Sequence, residues 1–502
     1  MADESGLSPY VFGCSGGLVL DRSTFDMQPG MALELENFEP DTKGGYRRIN
    51  GYEKWNSNIV PHTTLTSEVV LMSAYFDGNI IAARGEKVFK GGTTGSWTEI
   101  DSGRTNAKKY THFRYNLGGT DYIVWADGAN NATKYDGTTV TDLNATGAPA
   151  NPQYVVGHKD SLFFAGMSAS PQSVTFTAPY TDDDFNTANG AGTINVDSKI
   201  TGLFPFRDQL YIFCEERIFK LVGNSIADFV LQPVTREIGC LNGFTIQEFA
   251  GDLVFLGPDG LRTVAGTERI GDVELGTISR AVQERFEGLT DVDEFDSVVI
   301  PDKTQYRIFF VDSQNRQRAV TKGLICVRKG DTYEFGETKG IQPATTDFIT
   351  ETGETYIIHG GFDGYIYRQE KSNTFDGNNI IGRYRSPDLT MGDAGIRKNF
   401  QRVIINYAPT GTVNSDLFLR YDYESPNVPR PAAYPFDSSS VVAIYGTSSY
   451  GTATYGGQSN PLVRQPVEGS GFALAMRVVD NATSAPYTLK GFQLEFDAAA
   501  RR

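Results

Sequence analysis

Cysteine and histidine are both scarce in this 502-residue chain, with four of each. The cysteines, Cys14, Cys214, Cys240 and Cys326, show no CxxC spacing, and three lie in or beside apolar runs. That fits buried free thiols better than a disulfide framework or a metal cage, and it fits assembly in a reducing cytosol. The histidines, His62, His112, His158 and His359, are far apart and form no HxH, HExxH or HxxE pattern, so packed or surface roles are expected for them. No GxSxG elbow, P-loop or post-strand GxGxxG is present. No catalytic residue, metal site or cofactor is therefore expected, and the chain does not read as an enzyme. No apolar run approaches the length of a membrane span, and the opening MADESGLSPY lacks the basic start and apolar core of a signal peptide. Basic residues are also outnumbered: 45 Lys and Arg face 61 Asp and Glu, for a formal net charge of −16 and a pI near 4.8. Such a surface repels phosphate backbones, which argues against sequence-specific DNA binding. Long helical heptads are missing as well. In their place stand 54 glycines and 12% aromatics, the composition of short strands and turns, so the fold class is all-β.

What the chain does have is a repeated hairpin. In SKITGLFPFRDQLYIFCEERIFKLV, from Ser198 to Val222, the polar turn Arg207-Asp208-Gln209 precedes the apolar run Leu210 to Phe213, and Glu215-Glu216-Arg217 leads to a second run, Ile218 to Val222. Runs of that length, rich in β-branched and aromatic residues and bounded by turn chemistry, read as paired strands. The unit recurs with its turn residue at Asp77, Asp121, Asp160, Asp208, Asp252, Gln305 and Glu354. A period of roughly 40 to 50 residues is a propeller-blade spacing, because one small sheet buries its faces only by stacking on neighbours. Six or seven blades both fit, and a large β-sandwich with regular hairpins is the alternative.

Three domains follow from this pattern. Residues 1–60 read as an extended N-terminal arm punctuated by Gly, Pro and Asp. Residues 61–380 hold the β-propeller, interrupted at Thr277 to Phe286, where Ile278, Ala281, Val282 and Phe286 share one helical face and Gly288 supplies a stop. Residues 381–502 carry the alternating runs Arg402 to Tyr407, Asp416 to Tyr423, Gly471 to Val479 and Tyr487 to Phe496, the pattern of a C-terminal β-sandwich. A long Pro-, Ser-, Gly- and Tyr-rich loop, Pro426 to Pro466, carries Tyr445, Tyr450 and Tyr455 as candidate anchors for a partner subunit. The basic residues Arg383, Arg385, Arg397, Lys398 and Arg402 form the other candidate subunit interface, suited to an acidic face of a neighbouring copy. Asp182-Asp183-Asp184 lacks the alternate spacing and distal Glu of a Ca²⁺ loop and reads as a turn or capping cluster.

The order of these segments resembles the tail nozzle and packaged-DNA-stabilisation proteins of short-tailed bacteriophages, akin in plan to their tubular tail protein B. Three stretches carry the resemblance: the leader GGLVLDRSTFDMQPGMALELENFEP with GYRRINGYEKW, the central SKITGLFPFRDQLYIFCEERIFKLVGN, and the closing RSPDLTMGDAGIRKNFQRVIINY with YGTSSYGTATYGG and GFALAMRVVDNATSAPYTLKGFQLEF. Residues 140–197 and 291–345 match its pattern worst. The resemblance implies a virion structural protein of the tail, assembled in the bacterial host cytoplasm. Its copies, six by the resemblance, form a ring below the portal and adaptor that conducts double-stranded DNA and retains the packaged genome until ejection. Implied partners are further copies, the adaptor and portal proteins, and a tail fibre or needle. DNA passes an acidic lumen without specific binding. The alternatives are a carbohydrate-active propeller enzyme and a receptor-binding propeller.

Overall fold

Each repeated turn bends the chain through backbone that most residues avoid. At Asp77-Gly78, Lys159-Asp160 and Arg207-Asp208 both central residues have positive φ, between 44° and 74°, and Gly118-Gly119 and Ala250-Gly251 do the same. Two consecutive left-handed residues match the right-handed twist of the strands they join, and Asp, like Gly, tolerates that region. These turns connect the innermost strand of each blade to its second strand. The hairpin visible in the sequence is the second and third strand, as in Gln209–Cys214 and Ile218–Val222, with Ile200–Phe206 inside it and Val230–Thr235 outside.

The computed structural model describes residues 8–62, 69–265, 277–287, 295–311, 321–351, 353–425, 427–428, 430–438 and 462–501. Among them, six small sheets stand separately as propeller blades. Five lie at 70–102, 111–142, 154–195, 200–235 and 247–263, and the sixth combines Pro343–Glu351, Glu354–Gly361 and Ile366–Gln369 with the distant strand Tyr52–Lys54. Between the last two stands a seventh set, Asp296–Ile300, Gln305–Val311, Thr321–Lys329 and Thr332–Lys339, which belongs to a nine-stranded sheet continuing out of the propeller. Of the two blade counts left open by the sequence, six is the number of separate sheets.

The apolar runs of the second strands follow from blade stacking. A middle strand is covered on both faces, so its residues need no polar alternation. Leu210 and Ile212 pack toward the blade before, with Phe163 and Phe176, while Tyr211 and Phe213 pack toward the blade after, with Leu253 and Phe255. Each buried side chain of this kind contributes roughly 1.5–3 kcal/mol. The first blade meets the last through Ser73 and Thr345, whose hydroxyls lie 2.8 Å apart, and through a core that includes Val70, Ile80 and Ile358.

The fifth blade has three strands, and the segment expected to be a helix covers its open edge. Its structure is a short 3-10 helix, Arg280–Arg285, not the α-helix that the spacing predicts. The Ile278 N–H bonds the Leu261 carbonyl at 2.9 Å, and Ser279 Oγ accepts the Leu261 N–H at 2.9 Å. Satisfying that strand edge ties down the chain just before the turn. Val282 is buried and Ile278 and Phe286 pack against the same core, so the apolar positions were read correctly and the helix type was not. Gly288 lies outside the described residues.

The C-terminal region is a two-sheet sandwich, and the four runs expected there are strands except at Asp422-Tyr423, which enter a 3-10 turn, and Phe472-Ala473, which lie between two strands. Ile396–Pro409 and Tyr487–Arg501 form the centre of a seven-stranded sheet, while Val413–Tyr421 and Leu474–Asp480 belong to the nine-stranded one. The arm is not separate from either domain. Ser8–Gly13, Phe38–Pro40 and Tyr46–Arg48 join the seven-stranded sheet, Glu34–Glu36 bridges Thr332–Lys339 to Gly382–Arg385 in the nine-stranded sheet, and Tyr52–Lys54 closes the last blade. Gly16, Gly17, Gly30, Gly44 and Gly45 turn the chain between these strands at positive φ, whereas Pro9 and Pro40 lie within strands. One continuous core holds Phe249, Leu256, Tyr306 and Phe335 of the propeller together with Phe38, Tyr384, Leu417 and Phe492 of the sandwich.

Buried charge marks the same junction. Glu39 lies 2.8 Å from Lys303 and 3.1 Å from Arg307, and Glu370 lies 2.7 and 2.8 Å from the same two cations. Burial would raise the Glu370 carboxyl, but Lys303 and Arg307 outweigh it and bring it to about 2. Arg48, also on the arm, is fully buried 3.1 Å from Asp480 and donates to the carbonyls of Ser484, Ile380 and Ala482.

Candidate functional site

The innermost strands of all seven sets surround an axial cavity of about 330 Å³. Its walls are mainly apolar, among them Met72, Phe113, Val155, Leu203 and Ile246. Its polar centre is an ion pair: Lys109 Nζ lies 2.7 Å from Asp296 Oδ2, donates to the Phe295 carbonyl at 2.9 Å and sits 4.3 Å from the centre of the Phe244 ring. Thr346 Oγ1 donates to the other oxygen of Asp296 at 2.9 Å. Burial pushes the Asp296 carboxyl up from its ordinary value, with Lys109 opposing the rise. Nearby, Asp347 accepts the Tyr75 N–H at 2.8 Å and pairs with Arg114 and His112. Burial alone would raise Asp347, but His112 and Arg114 hold it below the ordinary carboxylate range. The two carboxylates therefore each have a cationic partner. A glycosidase-type acid and base need two carboxyl groups open to one substrate, and this pair is occupied in holding strands together.

None of these four charged residues stands out in the sequence. Asp296 merely opens an apolar strand, Arg114 and Asp347 sit among alternating polar positions of innermost strands, and Lys109 lies in the bend just before the strand Thr111–Leu117. The available signal was a charged residue on a strand whose blade neighbours cover both faces.

The residues singled out from the sequence are placed differently from one another. Arg383 and Arg385 are on Gly382–Arg385 of the nine-stranded sheet, whereas Arg397, Lys398 and Arg402 are on Ile396–Pro409 of the other. Arg383 is 2.6 Å from Glu36, Arg385 is 3.3 Å from Glu424, and Arg402 is 3.0 Å from Glu495. Arg397 donates to Ser470 Oγ at 3.0 Å. Lys398 is buried and gives its ammonium to the carbonyls of Thr390, Asp393 and Phe472, with burial lowering its pKa. The five thus do not make one patch of spare positive charge, because each was placed by its own strand and partner. Tyr445, Tyr450 and Tyr455 lie outside the described residues.

The remaining sequence readings concern stability. All four cysteines are free and buried, and burial pushes Cys14, Cys214 and Cys240 up to about 12. Asp184 accepts the Asn186 N–H, the local turn role expected, whereas the buried Asp182 accepts from Lys134 at 2.7 Å and from the Tyr115 hydroxyl, and Asp183 accepts the distant Ala145 N–H. Among the described residues no group of three or more His, Cys, Asp or Glu is placed to hold a metal ion, and no helix is long and apolar enough to cross a membrane.

No family model and no curated protein matches the chain. Similar solved structures include the extracellular domain of a putative hybrid two-component system from B. thetaiotaomicron, at 9% identity and a TM-score of 0.42, covering 74% of this chain and 44% of that one. The computationally designed Ika8 protein aligns at 10% identity and 0.36, covering 63% and 99%. The AfRom2 CNH domain aligns at 9% and 0.37, covering 62% and 98%. This chain's match thus spans less than half the length of the first of these proteins. None of them is related to phage nozzle proteins, and likeness at this level says nothing of function.

Proposed function

We propose that the chain is the subunit of a ring-shaped tail nozzle, attached below a portal and adaptor, that conducts double-stranded DNA and retains it until ejection. The observation that carries this reading is the welding of propeller to sandwich by one core and one arm. A ring under internal load needs a subunit that does not flex between its domains, and it needs two dissimilar faces for head-to-tail contact. A body of this shape supplies both. The resemblance in segment order points the same way, and it gives six as the number of copies. An acidic lumen suits the role because a negatively charged wall does not hold the phosphate backbone. The ring contacts need surfaces other than Lys398, which is internal, and Arg383, Arg385 and Arg402 would contribute only by exchanging their intrachain partners.

Sedimentation velocity and negative-stain imaging of the purified chain, alone and with a portal-adaptor complex, test the reading. Rings that cap the complex are expected. A protein that stays monomeric in both conditions overturns it, and turnover of a glycan panel would replace it with the carbohydrate-active alternative.

A further inference from the structure

The end of the propeller that carries the left-handed turns holds an open groove of about 880 Å³ between the last, first and second blades. Phe76 and Ile349 form its buried floor, and Phe348 stands on its rim with 52% of its surface exposed, one of the most exposed large apolar side chains among the described residues. Tyr122 lines the wall, stacked on Tyr115 with ring centres 5.4 Å apart.

The charge around these rings is one-sided. Asp77, Asp121 and Asp136 all line the groove. Asp121 accepts from Asn116 at 2.8 Å, and Asp136 accepts the N–H groups of Thr138 and Thr139 at 2.8 and 2.6 Å. The one cation lining it, Arg114, is committed to Asp347 and to the Tyr75 carbonyl. Nearby Lys134 and Lys90 are held by Asp182 and the Gly137 carbonyl. Lys134 also stands 5.3 Å from the centre of the Tyr122 ring and, after the Thr139 and Thr138 N–H groups, helps to lower the Asp136 carboxyl, but among the described residues no ion pair engages Asp77 or Asp121. A groove with exposed aromatic surface and these two carboxylates disfavours phosphates and other anions, and it favours an occupant that brings positive charge and an apolar side chain together.

We propose that this groove docks an extended basic segment of a partner protein, its Lys or Arg side chains reaching Asp77, Asp121 and Asp136 while an apolar side chain covers Phe348. The inference does not depend on the nozzle reading. It assigns the groove end of the propeller to partner recognition and leaves the axial ion pair to stability.

Fluorescence anisotropy with a labelled lysine-leucine hexapeptide tests it, with the glutamate-leucine counterpart and maltohexaose as competitors. Because the chain is acidic everywhere, the control is Glu86→Gln with Glu216→Gln, which removes equal charge from exposed positions elsewhere. The basic peptide is expected to bind saturably and to weaken about tenfold or more in Asp77→Asn with Asp121→Asn and in Phe348→Ser, but not in the control. All of these side chains are exposed, and superimposable unfolding curves verify the fold. Absence of binding, equal weakening in the control, or displacement by maltohexaose overturns the proposal.

Discussion

His359 is a titratable residue whose environment departs far from that of a free imidazole. It is buried between Tyr52 and Tyr367, faces Gln369 at 3.0 Å, and burial pushes its pKa down from 6.5 to about 3. A base whose folded pKa lies below its unfolded one stabilises the fold fully above pH 6.5, and that stability drains away as pH falls toward 3. His158, pushed to about 4 by burial and Lys159, acts in the same direction. Urea unfolding midpoints should fall through this window, and His359→Gln should flatten the slope there. Glu370 adds a lower window, between 4.5 and about 2, in which protonation removes its attraction to Lys303 and Arg307. Arg307→Met leaves Glu370 with Lys303 as its cation and Glu39 with Lys303 and the partly exposed Arg47, and should cost about 3–5 kcal/mol in urea unfolding at neutral pH.

Among elements, Tyr52–Lys54 has the largest effect for its size. Three residues complete a blade whose other strands lie some three hundred positions away, with Glu53 opposite Arg368 and their side chains 2.7 Å apart. Facing residues of an antiparallel pair are within disulfide reach. The pair Glu53→Cys with Arg368→Cys should therefore oxidise spontaneously and raise the unfolding free energy by about 2–4 kcal/mol, a gain abolished by dithiothreitol. The sequence made the middle strands of blades plain, because LYIF and LVFL are apolar on both faces and each follows a turn residue with a taste for left-handed backbone. Strands such as Glu34–Glu36 and Tyr52–Lys54 stayed illegible. Three residues carry no periodicity, and their partners are fixed by the whole fold. The axial ion pair was hidden for the same reason: Lys109 and Asp296 meet only once the blades are arranged in a circle. The basic cluster shows the converse, since Arg383 and Arg385 stand on one sheet and Arg397, Lys398 and Arg402 on the other.

The whole molecule is one cooperative object with two architectural parts. The core shared by Tyr306, Phe335, Leu417 and Phe492 makes one wall of each part depend on the other, although the blades also bury clusters of their own. Calorimetry should accordingly show a single transition. Residues 61–380, the propeller boundaries legible in the sequence, should fail to fold when expressed alone, because they lack the strand Tyr52–Lys54 and one wall of the shared core. Circular dichroism and proteolysis would report that failure, whereas residues 8–501 should resist protease as the full chain does.

The arm also imposes an order in time. Ser8–Gly13 pairs with Tyr487–Arg501, so this strand waits on the ribosome for a partner made hundreds of residues later. At roughly 5–20 residues per second, that wait lasts tens of seconds. Throughout it, the nascent segment keeps unmatched strand edges in the crowded cell; the last blade can close once Gln369 has emerged, whereas the seven-stranded sheet waits for Tyr487–Arg501.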